Sequence, residues 1–399
     1  MMLPMRTFET EERRERLGVR HHLARRSGSV EAAATDLVGL HSSDPATVFL
    51  SARARVDGFT PSQLEDALYR RRSLVRWLGM RRTLFVVPAS MAGVIDAACT
   101  KALVPAQRRR LIGMLADQVA ADGAEAWLDD VSTRTMEAVK ARGEATAREL
   151  TADVPELATR LTVGQGKTWG GTMGLSTRVL FLLATEGRIV RARPLGSWTS
   201  GQYRWAPVER WLDGGIEPTP PSAACAHLLR CWLRTFGPAT MTDVRWWTGW
   251  TARLATSTLS AVGAVEVSLA SDAEPAWVLP DDLGAERSPG PWVALLPSLD
   301  PTTMGWKRRD WYLGAHADEL FDRNGNAGPT IWVDGRVVGA WAQSSDGTVR
   351  TRVLERVGQR AARAIETERR QLQAWLGDVR VRPRFRAPLE RELSEELGQ

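Results

Sequence analysis

Hydrophobic and polar residues along this chain form a pattern that occurs three times: helices with helix-turn-helix spacing, followed by two short strands. The middle copy shows it most clearly. Residues 144–150 predict a short amphipathic helix, and residues 175–186 predict a second one. Residues 187–193 then alternate as a strand does. Two helices followed by paired strands are typical of a winged helix, a module that binds nucleic acid.

The first and third copies repeat this order. The first has predicted helices at residues 11–26, 30–40, after Asp44-Pro45 and at 61–70, then strands at 74–78 and 83–87. The third has predicted helices at residues 226–235, 241–247 and 251–262, then strands at 264–269 and 276–280. After residue 291, strands are predicted at 292–296, 330–333 and 336–342, with an Asp334-Gly335 hairpin turn, before a helix at 359–376.

The pattern therefore predicts an α+β protein of tandem winged-helix domains, with a β-rich C-terminal region and a terminal helix. The predicted domains are winged helix 1 with the candidate active site (10–87), a helical connector (88–129), winged helix 2 (130–213), winged helix 3 (222–284) and the C-terminal region (291–399). Residues 214–221 are rich in Gly and Pro and predict a linker.

Charge adds a preference for an anionic partner. The formal net charge is +6 over 399 residues, and nearly all basic residues are arginine, since only Lys101, Lys140, Lys167 and Lys307 are lysines. A GC-rich coding sequence explains the arginine content equally well. Arginine nevertheless binds phosphate and guanine with two parallel hydrogen bonds. The composition is thus compatible with double-stranded DNA as partner without proving it.

Cysteine usage and the N-terminal segment indicate a cytoplasmic protein. Cys99, Cys225 and Cys231 lack metal-ligand spacing and lie in predicted helices, so we expect buried thiols. Residues 1–16 are charged and contain no apolar segment typical of a signal peptide. We expect no membrane association, and a location on the nucleoid if DNA is the partner.

Motifs for cofactor chemistry are missing from the sequence. Lys167 follows Gly164 and Gly166 without the spacing of a phosphate-binding loop, and no histidine has metal-ligand spacing. We therefore predict neither cofactor nor metal. One polar segment remains, because His41, Ser43 and Asp44 lie at the predicted end of the second helix, where they could face one point. The alternative interpretation is structural, with His41 or Asp44 as helix caps.

Seventeen tryptophans, several beside arginine, suit a surface that contacts phosphate and stacks on bases. For any single tryptophan a core position is the stronger expectation. We expect the segment from Trp306 to Trp311 to be the exception, with its aromatic and basic side chains at the surface, because it has so many large polar residues.

Four segments together resemble the bacterial winged-helix DNA glycosylases of the AlkZ and YcaQ type. They are Gly39 to Pro45 (GLHSSDP), Met80 to Val87 (MRRTLFVV), Thr235 to Thr240 (TFGPAT) and Leu295 to Pro301 (LLPSLDP) followed by Gly305. Their order covers most of the chain, from about residue 11 to residue 342. The resemblance implies a body of tandem winged helices around duplex DNA that excises bulky N7-alkylguanine, including interstrand crosslinks. Some members protect producers of a DNA-alkylating toxin.

The resemblance also implies where the active site lies, and there this sequence departs from the family pattern. Members usually carry Gln, an apolar residue, and Gln or Asp at the places that His41, Ser42 and Ser43 occupy here. Serine cannot act as the base. We therefore predict a variant site in which Asp44 is the base, His41 orients water and Ser43 assists.

The predicted DNA contacts are Arg81 and Arg82 in the first wing, Lys167 and Trp169 before the second recognition helix, and Lys307, Arg308 and Arg309 in the last basic segment. For each of them, surface solubility is an equally good explanation. The competing function is a non-catalytic DNA-binding regulator. Because a regulator is normally a symmetric dimer, three unlike modules favour a monomeric glycosylase.

Overall fold

The computed structural model describes residues 5–119, 122–164, 166 and 170–395, and they form a mixed α and β protein. The α-helices are α1 (Thr10–Arg20), α2 (Val30–Asp36), α3 (Pro45–Arg55), α4 (Pro61–Tyr69), α5 (Ala92–Ile95), α6 (Val104–Gln118), α7 (Ala124–Arg142), α8 (Ala147–Asp153), α9 (Leu175–Thr185), α10 (Val208–Trp211), α11 (Pro221–Phe236), α12 (Met241–Thr248), α13 (Ala252–Ala261), α14 (Asp310–Leu313), α15 (Ala317–Leu320), α16 (Gln359–Leu376) and α17 (Pro388–Glu395).

Within the described residues, five sheets are formed by sixteen strands. They are β1 (Thr7–Phe8), β2 (Leu40–His41), β3 (Leu74–Leu78), β4 (Leu84–Pro88), β5 (Ala145–Thr146), β6 (Arg160–Val163), β7 (Gly171–Gly174), β8 (Ile189–Pro194), β9 (Tyr203–Pro207), β10 (Ala239–Thr240), β11 (Val265–Leu269), β12 (Asp272–Val278), β13 (Val293–Leu296), β14 (Thr330–Val333), β15 (Arg336–Gln343) and β16 (Val349–Val353).

Three of these sheets share one topology. The strand orders are β2-β4-β3, β5-β9-β8 and β10-β12-β11, and β1 extends the third in parallel to β11. Each sheet contains a two-residue strand that lies just before a helix. This strand, which is β2, β5 or β10, pairs with the second strand of a hairpin that follows later in the chain. Each of the three sheets therefore has the same strand order relative to the helix near its short strand.

Local sequence signals account for many of the element boundaries. Thr60 forms a capping box with Gln63, and Pro61 is the first residue of α4. The predicted turn between β14 and β15 is confirmed, since Asp334 and Gly335 both have positive φ, 47° and 81°, as a two-residue hairpin turn requires. Helix α16 spans the predicted residues, 359–376.

Other boundaries differ from the prediction. Helix α1 ends at Arg20 rather than at residue 26, and α2 ends at Asp36 rather than at residue 40. Between α8 and α9, where the sequence analysis predicted no strand, β6 and β7 form an antiparallel hairpin. Short exposed strands with glycine at the ends give a weak sequence signal, which explains the omission.

The hydrophobic core is continuous across modules that the sequence separates. One cluster of buried side chains joins the first module, α11 to α13 and the C-terminal sheet β13-β14-β15-β16. Helix α11 packs on α5 and on the π-helical turn Asp96–Thr100 that follows it. Helices α6 to α9 have a core of their own, and a third, small cluster lies under β1, β11 and β12.

The cysteines agree with the expectation of free thiols. Cys99 and Cys225 are buried and Cys231 is partly buried, and none is in a disulfide. Burial raises the pKa of the Cys99 thiol to about 12, so it stays protonated. Within the described ranges, no helix has the length and apolarity needed to cross a bilayer.

Candidate active site

The segment that carries His41 is a strand rather than a helix end, which corrects our prediction. The chain leaves α2 through Val38 and Gly39, both with positive φ, 56° and 126°. A Cβ at Gly39 would lie 2.9 Å from a methyl group of Val87, so glycine is required by packing as well as by φ. A β-branched residue in the left-handed region is rare, and Val38 marks this turn as a strained one.

Strand β2 fixes the orientation of His41. Leu40 and His41 pair with Val86 and Phe85 of β4, and the rings of His41 and Phe85 meet edge to face with centroids 5.4 Å apart. The histidine is 7% exposed. Its Nδ1 accepts a long hydrogen bond of 3.5 Å from the Ser43 backbone N–H. The ring proton is therefore assigned to Nε2, which has no hydrogen-bond partner in the described part of the chain.

The ring of His41 is neutral at physiological pH. Burial, together with the positive charge of Arg81, lowers its pKa to about 3. A neutral imidazole with Nε2–H unoccupied can donate a hydrogen bond to a water molecule or to a sugar or phosphate oxygen. It cannot supply a positive charge there.

Both carboxylate oxygens of Asp44 accept hydrogen bonds from backbone N–H groups. Asp44 is 4% exposed and is the N-cap of α3, since Oδ1 accepts a hydrogen bond of 3.0 Å from Ala46 N–H. Its Oδ2 accepts a second one, of 2.7 Å, from Arg384 N–H. Each oxygen keeps one lone pair. Ser43 is partly exposed, and its hydroxyl has no partner among the described residues.

The turn of the β3-β4 hairpin brings Arg81 close to His41. The turn between β3 and β4 holds Arg81 and Arg82 at positive φ, 53° and 63°, and both residues are exposed. The Arg81 guanidinium lies 3.8 Å from the centroid of the Trp246 ring. Its partial burial there and the charge of Arg309 lower its pKa to about 10, so Arg81 remains charged at neutral pH.

Arg309 reaches the same tryptophan from the C-terminal region. Its guanidinium lies 5.4 Å from the Trp246 ring centroid and 4.4 Å from that of Phe321. Neither Arg81 nor Arg309 forms an ion pair with any described carboxylate. His41 thus lies beside a pair of cations whose charges are uncompensated.

The other basic residues of the last segment, Lys307 and Arg308, are held by Asp243 and have exposed side chains. The backbone N–H groups of Lys307 and Arg308 both donate to Asp243 Oδ1 at 2.8 Å. The Arg308 side chain pairs with Glu274 at 3.3 Å and Asp272 at 3.7 Å, while that of Lys307 is exposed.

The prediction that the tryptophans of this segment lie at the surface is wrong. Trp306 and Trp311 are 3% and 7% exposed, and their indole N–H groups donate to the carbonyl oxygens of Phe236 and Arg308. Large apolar area outweighs the local polarity of the segment, so the two rings pack inward and the basic side chains between them point outward.

A second group of cations consists of Arg82 in the β3-β4 turn, Arg110 of α6 and Arg178 of α9. The Arg82 guanidinium lies 5.7 Å from the centroid of the Phe181 ring. The pKa of Arg178 is lowered mainly by its burial and further by the positive charges of Arg110 and Arg82. None of these three arginines forms an ion pair within the described residues. Lys167 and Trp169 lie outside the described residues.

Trp246, Arg110 and Arg178 were missed as candidate site residues. A signal existed for Trp246, because Trp247 next to it lies at a core position of α12, which turns Trp246 about 100° away toward the helix surface. The arginines gave none, because their grouping depends on tertiary contacts. Among the described residues, no three His, Cys, Asp or Glu side chains are close enough to hold a metal ion.

Comparison with known proteins agrees with this geometry. The family model described as "DNA glycosylase AlkZ-like" matches residues 34–375. Among solved structures, the DNA glycosylase AlkZ of Streptomyces sahachiroi is similar, with a TM-score of 0.71 and 19% identity over 94% of this chain and 98% of that one. No protein with curated annotation matches significantly. Because the matched residues cover most of the chain, this protein belongs to the AlkZ-like DNA glycosylase family.

Proposed function

We propose that this protein is a monofunctional DNA glycosylase that hydrolyses the N-glycosidic bond of bulky N7-alkylguanine in double-stranded DNA, interstrand crosslinks included. The observation that carries the proposal is the neutral His41, whose Nε2–H is unoccupied, beside Arg81 and Arg309, which lack acidic partners. We further propose that it acts as a monomer of winged-helix modules on the nucleoid in the cytoplasm, without cofactor, and gives self-resistance to a DNA-alkylating natural product.

The chemistry of the lesion explains why so small a catalytic group suffices. N7-alkylation gives guanine a positive charge, so the departing base needs no proton from a general acid. The protein has to place water and stabilise the positive charge that develops on the sugar. A neutral histidine that donates a hydrogen bond holds water without adding positive charge.

Each polar group of the loop has a proposed role. His41 orients the water through Nε2–H, and the Ser43 hydroxyl, which is partly exposed and unpartnered, assists. Asp44 is the proposed base and the source of negative charge near the sugar, through the lone pairs that its two backbone contacts leave available.

The direct experiment is base release by the wild-type protein from a duplex with a single bulky N7-alkylguanine. We expect release of the modified base and an abasic site, which alkali then cleaves. No release from any N7-alkylguanine duplex, combined with sequence-specific binding to an undamaged operator, would instead identify a DNA-binding regulator.

DNA contacts are proposed at Arg81, Arg82, Lys307, Arg308, Arg309, Lys167 and Trp169. Of these, Arg81 and Arg309 have the strongest support, because they lack acidic partners and meet at Trp246 near His41. We expect Arg81→Gln and Arg309→Gln each to weaken DNA binding and to reduce the slope of log K against log salt by about one. Fluorescence anisotropy over a salt series measures both quantities.

Two further variants make this test specific. Arg308→Gln is expected to have a smaller effect, because Arg308 is paired with Glu274 and Asp272. Arg234→Gln, which removes an exposed arginine paired with Asp281, serves as control. If all four variants show the same salt slope as the wild type, Arg81 and Arg309 do not contact DNA phosphates.

A further inference from the structure

A further cluster of arginines, different from the two groups of cations described above, lies behind the His41 loop and has no role in the function proposed above. Arg76 of β3 and Arg191 of β8 face the ring of Tyr203, and Arg384 of the C-terminal segment lies near Arg191. The guanidinium carbon of Arg76 is 5.0 Å and that of Arg191 is 5.4 Å from the centroid of this ring. Burial lowers the pKa of Arg191, and the positive charges of Arg76 and Arg384 lower it further. Three modules of the fold therefore place three like charges together.

No carboxylate compensates these charges among the described residues. Arg76 is only 3% exposed, and its described partners are neutral hydroxyl groups, Ser42 Oγ at 3.2 Å and Tyr69 Oη. The side chains of Arg191 and Arg384 form no ion pair. The nearby Glu65 pairs with Arg193 instead, at 3.1 Å. Arg191 is partly buried and Arg384 is exposed, so only Arg76 is fully removed from water. Burying a cation such as Arg76 without a counter-ion is costly, so this arrangement indicates that an anion completes it, and the exposed Arg384 leaves the cluster accessible to one.

Tyr203 supplies a fourth group with the same requirement. The residue is 8% exposed, and its hydroxyl is buried without a hydrogen-bond partner. The Arg76 guanidinium lies close enough to interact with this hydroxyl, but a guanidinium can only donate, so the tyrosine proton has no acceptor among the described residues. Buried hydroxyl groups are normally satisfied, so this donor is available to a ligand.

The position of the Arg384 side chain depends on the absence of a side chain at Gly201. A Cβ at Gly201 would overlap the Arg384 guanidinium, so this glycine leaves the space in which the side chain lies. The Arg384 N–H donates to Asp44 Oδ2 at 2.7 Å, and Arg76 donates to Ser42. The cluster is thereby connected to both sides of the loop that carries His41 and Ser43.

The cluster and His41 lie on opposite faces of the sheet β2-β4-β3. His41, Phe85 and Trp77 are directly opposite one another across the strands, as are Leu40, Val86 and Arg76 in the neighbouring row. Adjacent residues of a strand point to opposite faces. A ligand at Arg76 therefore approaches the loop from the side away from His41.

We propose that Arg76, Arg191, Arg384 and Tyr203 form a binding site for a tetrahedral oxyanion of the phosphate class, and that its occupancy fixes the loop of Ser42 and Asp44 from behind. Guanidinium groups match the oxygens of such an anion with paired hydrogen bonds. The anion is either free phosphate or a phosphate of the DNA backbone, and the experiment below distinguishes the two. The site does not depend on glycosylase activity.

The test is a calorimetric titration of the full-length protein with inorganic phosphate, at constant ionic strength against chloride. We expect saturable binding by the wild type and at least about a tenfold loss of affinity in Arg191→Gln and in Arg384→Gln. Arg188→Gln, next to β8 but paired with Glu186, is the matched control and should bind as the wild type does. Circular dichroism confirms that each variant is folded.

DNA binding in phosphate-free buffer identifies the source of the oxyanion. Unchanged DNA affinity in Arg191→Gln and Arg384→Gln, with phosphate binding lost, assigns the site to free phosphate. Reduced DNA affinity in both variants, with phosphate binding either absent from the wild type or weakened in the variants, assigns it to the DNA backbone. The proposal is overturned if phosphate binds equally to the wild type and both variants, or if phosphate does not bind and DNA affinity is unchanged. None of these readouts requires an alkylated base, so a failed excision assay leaves them interpretable.

Discussion

His41→Ala lowers the rate of base excision by about a hundredfold to a thousandfold, while DNA binding stays close to that of the wild type. The expected size is that of losing one positioned polar group at a site of proton transfer or charge development. Alanine removes Nε2–H, the donor that we assign to holding water. Single-turnover release of N7-alkylguanine, with the enzyme in excess over the duplex, isolates the chemical step from binding.

His41→Gln and Asp44→Asn complete the comparison. Glutamine, which the family resemblance places here in most members, offers an amide donor and should restore a substantial part of the activity. Asn at position 44 keeps an acceptor for the N-cap of α3 but loses the carboxylate, so we expect loss of activity with a folded protein. Wild-type rates in both His41→Ala and Asp44→Asn would reject this site.

The same assignment determines the pH dependence. Because the pKa of His41 is about 3, the ring stays neutral, and excision should not decline between pH 8 and about pH 5 through titration of this residue. An inflection near 6.5 that disappears in His41→Gln would contradict the buried, neutral ring. Since an unfolded histidine has a pKa of about 6.5, the neutral ring contributes stability above that pH, which is lost as the pH falls toward 3.

Asp300→Ala should destabilise the protein by about 3 to 5 kcal/mol. Arg55 and Asp300 are both 0% exposed and form two hydrogen bonds, of 2.8 and 2.6 Å. Asp300 also accepts one of 2.8 Å from Ser51 Oγ. Removing the carboxylate leaves a buried guanidinium without its partner, between α3 and the C-terminal region. The free energy of unfolding in urea measures the loss.

Asp281→Ala is the control for this stability prediction. Asp281 pairs with Arg234 at 2.8 Å, but their side chains are 63% and 58% exposed, so we expect little or no change in the free energy of unfolding. The double variant Arg55→Met with Asp300→Leu should be less destabilised than Asp300→Ala, because it buries no unpaired charge. Equal losses in Asp300→Ala and Asp281→Ala would show that burial of the pair does not matter.

The sequence predicts those parts of the fold that depend on neighbouring residues. The hairpin β3-β4, the start of α3 at Pro45 and the turn at Asp334-Gly335 follow from strand alternation, capping and turn chemistry. The end of α2 does not follow in this way. It depends on Val38 in a conformation that valine seldom adopts, stabilised by the pairing of β2 with β4.

The sites required the tertiary structure for a similar reason. His41 and Ser43 could be selected from one segment, because polarity and motif are local properties. The meeting of Arg81 with Arg309 at Trp246 joins residues that are far apart in the chain. Burial is equally non-local, which is why Trp306 and Trp311 were misplaced although their own segment is strongly polar.

The separate core of α6 to α9 divides the protein into parts that tolerate change differently. A substitution at Leu128 or Val179 disturbs only the packing of those helices, whereas one at Phe49 or Trp332 is transmitted through a core that also supports the first and third modules. Sequence drift in the first group can therefore reshape the surface around Arg110 and Arg178 while leaving the support of His41 intact. The surface around Arg110 and Arg178 can in this way differ between related proteins without a change in the packing that holds His41.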